Sequence, residues 1–259
     1  ILNKDEFASE LNQFTTWNHQ TMMGDQVRTR GVSAPDDVVK TIFFDIDAVY
    51  PPLRGLITSP AFTREGELIT EPGYHESGLF YAPDLTLDVP KVSDHPTEAE
   101  VKEAVRLVVE EALADFPFAG LTRDEIVEKV LDGDGVPAVT HIIAMLLLFF
   151  CRELVDGPTP GHLLGKPAPG TGASLLTDVI SIIATGGVTP ASAMPSNSEE
   201  MGKTITALLA SGTNMIFFDN INHGVDSAEL ASAITSPEYK ARILGRTELV
   251  DTEVRCIWT

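Results

Sequence analysis

The stretch that most constrains the fold is Pro167-Ala168-Pro169-Gly170-Thr171-Gly172-Ala173-Ser174, set between the apolar His162-Leu163-Leu164 and a helical pattern from Leu175 to Ala184. A short strand, a Gly/Pro loop and a helix, in that order, let successive backbone N–H groups and the open helix end converge on an anion. In the usual phosphate-loop pattern, G-x-x-x-x-G-K-[ST], lysine reaches the β/γ-phosphates and the hydroxyl holds magnesium. Gly172 and Ser174 fit, whereas Pro167 stands at the first glycine and Ala173 at the lysine. Lys166 would replace that cation only by an unusual path back over Pro167. A plain turn capping a buried helix needs glycine and serine, but not so much glycine in one loop.

One helix-bearing unit later, Asn214 to Asn220 reads as a buried strand ending in Asp219. Ligands of a parallel α/β sheet gather at the carboxyl ends of its strands. Ser174 and Asp219 are therefore expected to share one magnesium ion from adjacent strands. Met215 to Phe218 and Val254 to Trp258 are expected beside the strand before the loop, in one mostly parallel sheet with helices on both faces. The helices between them run from about Glu199 to Ser211 and from Asp226-Ser227-Ala228-Glu229 onward.

Upstream, residues 1–40 read as an arm or linker, with Glu6 to Phe14 a helical turn or two and Trp17 docking on the main body. Residues 41–95 alternate short apolar runs, such as Ile42-Phe43-Phe44 and Leu79-Phe80-Tyr81, with Pro and Gly breaks, which indicates a small β-rich subdomain. Arg54, Tyr74 and His75 there serve turns more readily than ligands. Residues 96–157 are helical: capping boxes at Thr97 and Thr122 open two helices, and a nearly all-apolar helix runs from Ala138 to Val155. Val101, Ala104, Val105, Val108, Ala112 and Leu113 form a stripe that must meet another element. Asp132-Gly133-Asp134-Gly135 lacks the spacing and the twelfth-position Glu of a calcium loop and reads as a linker. No zinc spacing is present, and His141 reads as an interior histidine. Residues 158–259 read as a nucleotide-loop core, expected to be truncated at its C-terminal end.

The 38 acidic against 18 basic residues, a formal charge of −20 over 259 residues, oppose long-range attraction to a polyanion. Cys151 and Cys256 suit buried thiols in a reducing compartment. The opening Ile1 to Glu6 has no signal-peptide pattern, and the run Ile142 to Cys151 is shorter than a membrane span. A cytoplasmic protein that does not engage a membrane is expected.

Taken together, His162 to Ala184 and Met215 to Thr259 resemble the AAA+-like ATPase cores of plasmid, prophage and integrated-element replication proteins, the helicase halves of primase–helicase polypeptides. The resemblance extends upstream through Pro51-Pro52-Leu53-Arg54-Gly55, Glu71-Pro72-Gly73-Tyr74, Phe116-Pro117-Phe118 and Arg152. It implies an α/β fold, a P-loop NTPase core with a mostly parallel sheet, preceded by a β-rich subdomain and a helical segment. In that family the loop ends Gly-Thr-Gly-Lys-Ser, so Gly170, Thr171, Gly172 and Ser174 correspond, with Ala173 in the lysine's place. Asp219 corresponds to the magnesium-associated acid, and Asn220 stands where many members carry a glutamate base. The polar sensor residue after the next core strand would fall beyond Thr259. The implied cofactors are ATP and Mg2+, and the implied assembly is a homo-oligomeric ring, expected as a hexamer, that engages DNA. Arg246 is the candidate residue facing a neighbouring subunit's phosphates. Lys203, Lys240, Arg242 and Arg246 would have to gather at contact surfaces to offset the charge, so the isolated chain is expected to be monomeric and to bind DNA poorly. The resemblance thus implies ATP-driven DNA processing with hydrolysis impaired by Ala173. The alternatives are a non-hydrolysing nucleotide-binding or assembly module and a metabolic kinase without a defined acceptor pocket.

Overall fold

The computed structural model describes residues 4–24, 26–44, 53–83, 90–166, 168, 170–221, 224–242 and 249–259, and the chain divides into two compact units, 1–52 and 53–259. The first unit holds α1 (Lys4–Phe14), an antiparallel hairpin of β1 (Trp17–Met23) and β2 (Gln26–Val32), and α2 (Asp36–Phe44). The stretch expected as an arm is therefore a folded piece with a pair of helices. Ile42-Phe43-Phe44, expected in a β-rich region, closes α2 instead: acidic residues fill its first turn, which suits the positive end of a helix. Phe7 meets Phe43 with ring centroids 5.6 Å apart, and Lys4 bonds Asp36 at 2.6 Å.

The second unit opens with five short strands: β3 (Gly55–Ile57), β4 (Ala61–Phe62), β5 (Leu68–Ile69), β6 (Gly73–Tyr74) and β7 (Leu79–Tyr81). β7 pairs parallel to β3 and antiparallel to β6, and β4 pairs with β5. Three helices follow, α3 (Glu98–Val108), α4 (Arg123–Leu131) and α5 (Pro137–Cys151). Both capping boxes form: the Thr97 and Thr122 hydroxyls accept from the amides of Glu100 and Glu125, and each glutamate accepts from its threonine's amide. The α3 stripe meets the core only from Val105 onward; Val101 is exposed, and a π-helical turn at Val109–Leu113 brings Val109 and Leu113 inward.

The remaining elements are α6 (Ala173–Thr185), β8 (Ala191–Ala193), α7 (Ser198–Ala210), β9 (Met215–Asp219), α8 (Ala228–Thr235), β10 (Glu238–Arg242), β11 (Leu249–Glu253) and β12 (Ile257–Trp258). β8, β9 and β12 form a parallel sheet with β9 in the middle. Met215 to Phe218 are all buried, as expected of a strand covered on both faces. The period-2 alternation divides the sheet's side chains between two cores. Met215, Phe217 and Ile257 join the cluster built by α3 to α6, and Ile216, Phe218 and Trp258 join the cluster of α7 and α8. His162 to Leu164 do not form a strand, but the His162 amide donates to the Trp258 carbonyl at 2.8 Å, which lays this segment along the free side of β12.

The stretch Pro137–Leu154, α5 with its following 3-10 turn, is 18 residues long with mean hydropathy 1.6, long and apolar enough by composition to cross a membrane. Its Val139, Ile142, Met145 and Leu146 are buried in the first cluster, while Leu147 is 53% exposed.

Candidate functional site

α6 begins immediately after the glycine loop. Gly170 and Gly172 take left-handed backbones (φ 81° and 87°), a region that L side chains rarely adopt. A Cβ on Gly172 would also lie 3.3 Å from the Phe116 ring, so the residue is fixed by conformation and by contact. The Thr171 hydroxyl donates to the Ala168 carbonyl at 3.0 Å and closes the loop on itself. No side chain caps α6 at Gly172, whereas Thr97, Thr122, Asn197 and Ser227 cap α3, α4, α7 and α8. The Leu176 amide returns to the Gly172 carbonyl, so the helical ladder starts there. The amides ahead of it belong to the helix end that favours an anion.

Ser174 lies in the first turn of α6, and its hydroxyl donates to Asp219 Oδ2 at 3.0 Å. Asp219 closes β9, and its Oδ1 accepts the Asn220 amide at 2.7 Å. Asn220 is left-handed (φ 57°), which turns the chain sharply at the strand's carboxyl end. The fold thus brings together two side chains 45 positions apart in sequence. Ala173 is the first residue of the helix and brings no charge to the loop. Pro167, Pro169 and Arg246 lie outside the described residues. Lys203 is engaged by Glu199 and Glu200, and Lys240 by Glu238, so neither stands ready for a polyanion.

Other singled-out residues have structural partners. Arg54 pairs with Glu253 at 3.0 Å, and a ring nitrogen of His75 lies 2.7 Å from the Glu71 carbonyl. The Asp132 to Gly135 turn ends α4, with the Gly135 amide donating to the Lys129 carbonyl. Among the described residues no three His, Cys, Asp or Glu side chains gather as a metal cluster. Neither thiol is in a disulfide, and burial pushes the Cys256 thiol up to about 12.

Two features escaped the sequence reading. His162 is only 6% exposed, and its two ring nitrogens have no hydrogen-bond partner. It meets His141 edge-to-face at 5.2 Å, and both line a groove of about 700 Å³ with Asp134, Thr140, Leu148 and Pro160. Trp258, which accepts the His162 amide, pairs with Ile216. That level is three residues, or about 10 Å of strand, before Asp219. The other feature is the β1–β2 hairpin, whose paired polar sequence carries no hydrophobic alternation that would mark a strand. No protein-family model, curated protein or solved structure matches this chain.

Proposed function

We propose that the chain binds a nucleoside triphosphate with its phosphates over the loop from Ala168 to Ser174, within an ATP-driven, helicase-like DNA-processing protein. The observation that carries this reading is the Ser174–Asp219 hydrogen bond at the carboxyl end of β9, beside a left-handed glycine loop and an uncapped helix start. The sheet order is compatible with it: the His162 amide bonds the outer side of β12, and β9 and β8 follow in that order, so β12 stands between the segment before the loop and the strand that ends in Asp219.

The donor set suits Mg2+. Ser174 Oγ and Asp219 Oδ2 are hard oxygens 3.0 Å apart. Adjacent ligands at about 2.1 Å on an octahedral ion have about that separation. Ser174 and Asp219 would hold the ion, which when bound neutralises charge on the phosphates. The loop amides would hold phosphate oxygens, with Gly170 and Gly172 letting the backbone approach closely.

Ala173 favours the non-hydrolysing variant of this reading. A lysine there would stabilise the charge that grows on the β/γ-phosphates during transfer, an effect of orders of magnitude in rate. The test is nucleotide binding by calorimetry and steady-state ATPase activity, for the chain as given and for Ala173→Lys. The expected result is weak, magnesium-dependent binding with little turnover, and a rise in turnover of at least tenfold with the lysine. Equal and substantial rates in both proteins, or no binding by either, would overturn the proposal.

A further inference from the structure

The β1–β2 hairpin is a free two-stranded ribbon. Seven residue pairs run from Trp17 opposite Val32 to Met23 opposite Gln26, and every residue except the half-buried Trp17 is exposed. An isolated ribbon of this kind draws little stability from burial, so core packing does not account for its side chains. Alternation puts His19, Thr21, Arg28 and Arg30 on one face, as the cross-strand pairs His19–Arg30 and Thr21–Arg28. The same face ends in Trp17 and Val32 at the base and in Met23 and Gln26 at the tip, and the opposite face carries Asn18, Gln20 and Thr29 with the Met22–Val27 pair.

Charge separates this ribbon from the rest of the molecule. Neither strand contains an acid, the one carboxylate between them in sequence being Asp25, although the chain as a whole carries −20. Elsewhere in the same unit Lys4 and Lys40 are both held by Asp36, which they draw down to about 2. Arg28 and Arg30 form no ion pair with any described residue. They sit two positions apart on one strand face, about 7 Å from each other.

We propose that this ribbon binds duplex DNA, laying its Arg28/Arg30 face into the major groove. The groove, about 12 Å wide, admits a two-stranded ribbon and offers guanine edges to arginine, whereas the minor groove, at about 6 Å, is too narrow. Arginine and threonine also reach the flanking phosphates. A protein partner is disfavoured because the apolar side chains of the arginine face stand only at its ends, Trp17 and Val32 at the base and Met23 at the tip, leaving its middle without an apolar anchor. The deep, narrow major groove of duplex RNA excludes the ribbon. This inference is independent of the nucleotide loop.

The test is fluorescence anisotropy of a labelled mixed-sequence DNA duplex of about 20 base pairs against the full chain, without nucleotide, over a salt series. Weak binding in the range of about 10⁻⁴ to 10⁻⁶ M is expected. The double variant Arg28→Ala/Arg30→Ala should lose at least tenfold in affinity and flatten the log–log salt slope by about 2. Asn18→Ala/Gln20→Ala, on the other face, should stay within twofold. Far-ultraviolet circular dichroism should be unchanged in both, since the altered side chains are exposed. Binding that survives Arg28→Glu/Arg30→Glu, equal binding of a duplex RNA, no binding of DNA at low salt, or arginine-dependent self-association in place of DNA binding would each overturn the proposal.

Discussion

His162 lies beside β12 and Asp219 ends β9, and the two differ in what surrounds them. Asp219 has two donors for its two oxygens. His162 has none, and burial together with His141 holds its imidazole below the ordinary range near 6.5. As pH falls through about 6.5, the unfolded chain takes up a proton at His162 before the folded chain does, so acid favours unfolding. The stability tied to neutral His162 is complete above that pH and declines below it. Urea midpoints at about pH 7.5 and 5.5 should therefore differ more for the native chain than for His162→Phe; equal differences would assign the acid sensitivity to other groups. Ser174 and Asp219 were legible in the sequence because each ends a local pattern, a glycine loop or an apolar run. The partnerless state of His162 was not, since it depends on His141, 21 residues upstream, being carried alongside by α5.

At the scale of elements, α2 was not legible, whereas the capped helices were. Their caps are short-range: Thr97 and Thr122 find their amides three residues on. The β1–β2 hairpin and the unformed strand at His162–Leu164 were not legible, the first for want of alternation and the second because one bond to Trp258 does not make a strand. Arg152 shows how a long-range tie holds elements together. Its buried guanidinium donates to the carbonyls of Val155, Gly157 and Val254, joining the end of α5 to the chain entering β12. Burial, with Arg255 nearby, disfavours its charge. The Val155 carbonyl also accepts from Arg255, so removing Arg152 leaves the Gly157 and Val254 carbonyls without a partner, each at a cost of about 1 kcal/mol or more. Arg152→Met should lower the unfolding free energy by about 2 kcal/mol in chemical denaturation, and a loss within experimental error of zero would show that the carbonyls find water.

For the whole molecule, the excess of carboxylates acts on assembly. Subunits carrying −20 repel one another, and added salt shortens the range of that repulsion. The isolated chain should scatter light as a monomer at about 50 mM salt and associate, if at all, only as salt rises toward about 500 mM. The central sheet also sorts the backbone in time. The amides of His162, Phe218, Ile257 and Thr259 are all bonded across the sheet, so deuterium should enter them only through large-scale unfolding. The amides of Ala173 and Ser174, ahead of the first rung of α6, should exchange far faster. A bound phosphate would slow the second group without touching the first, so exchange mass spectrometry would register occupancy of the loop even where no turnover follows.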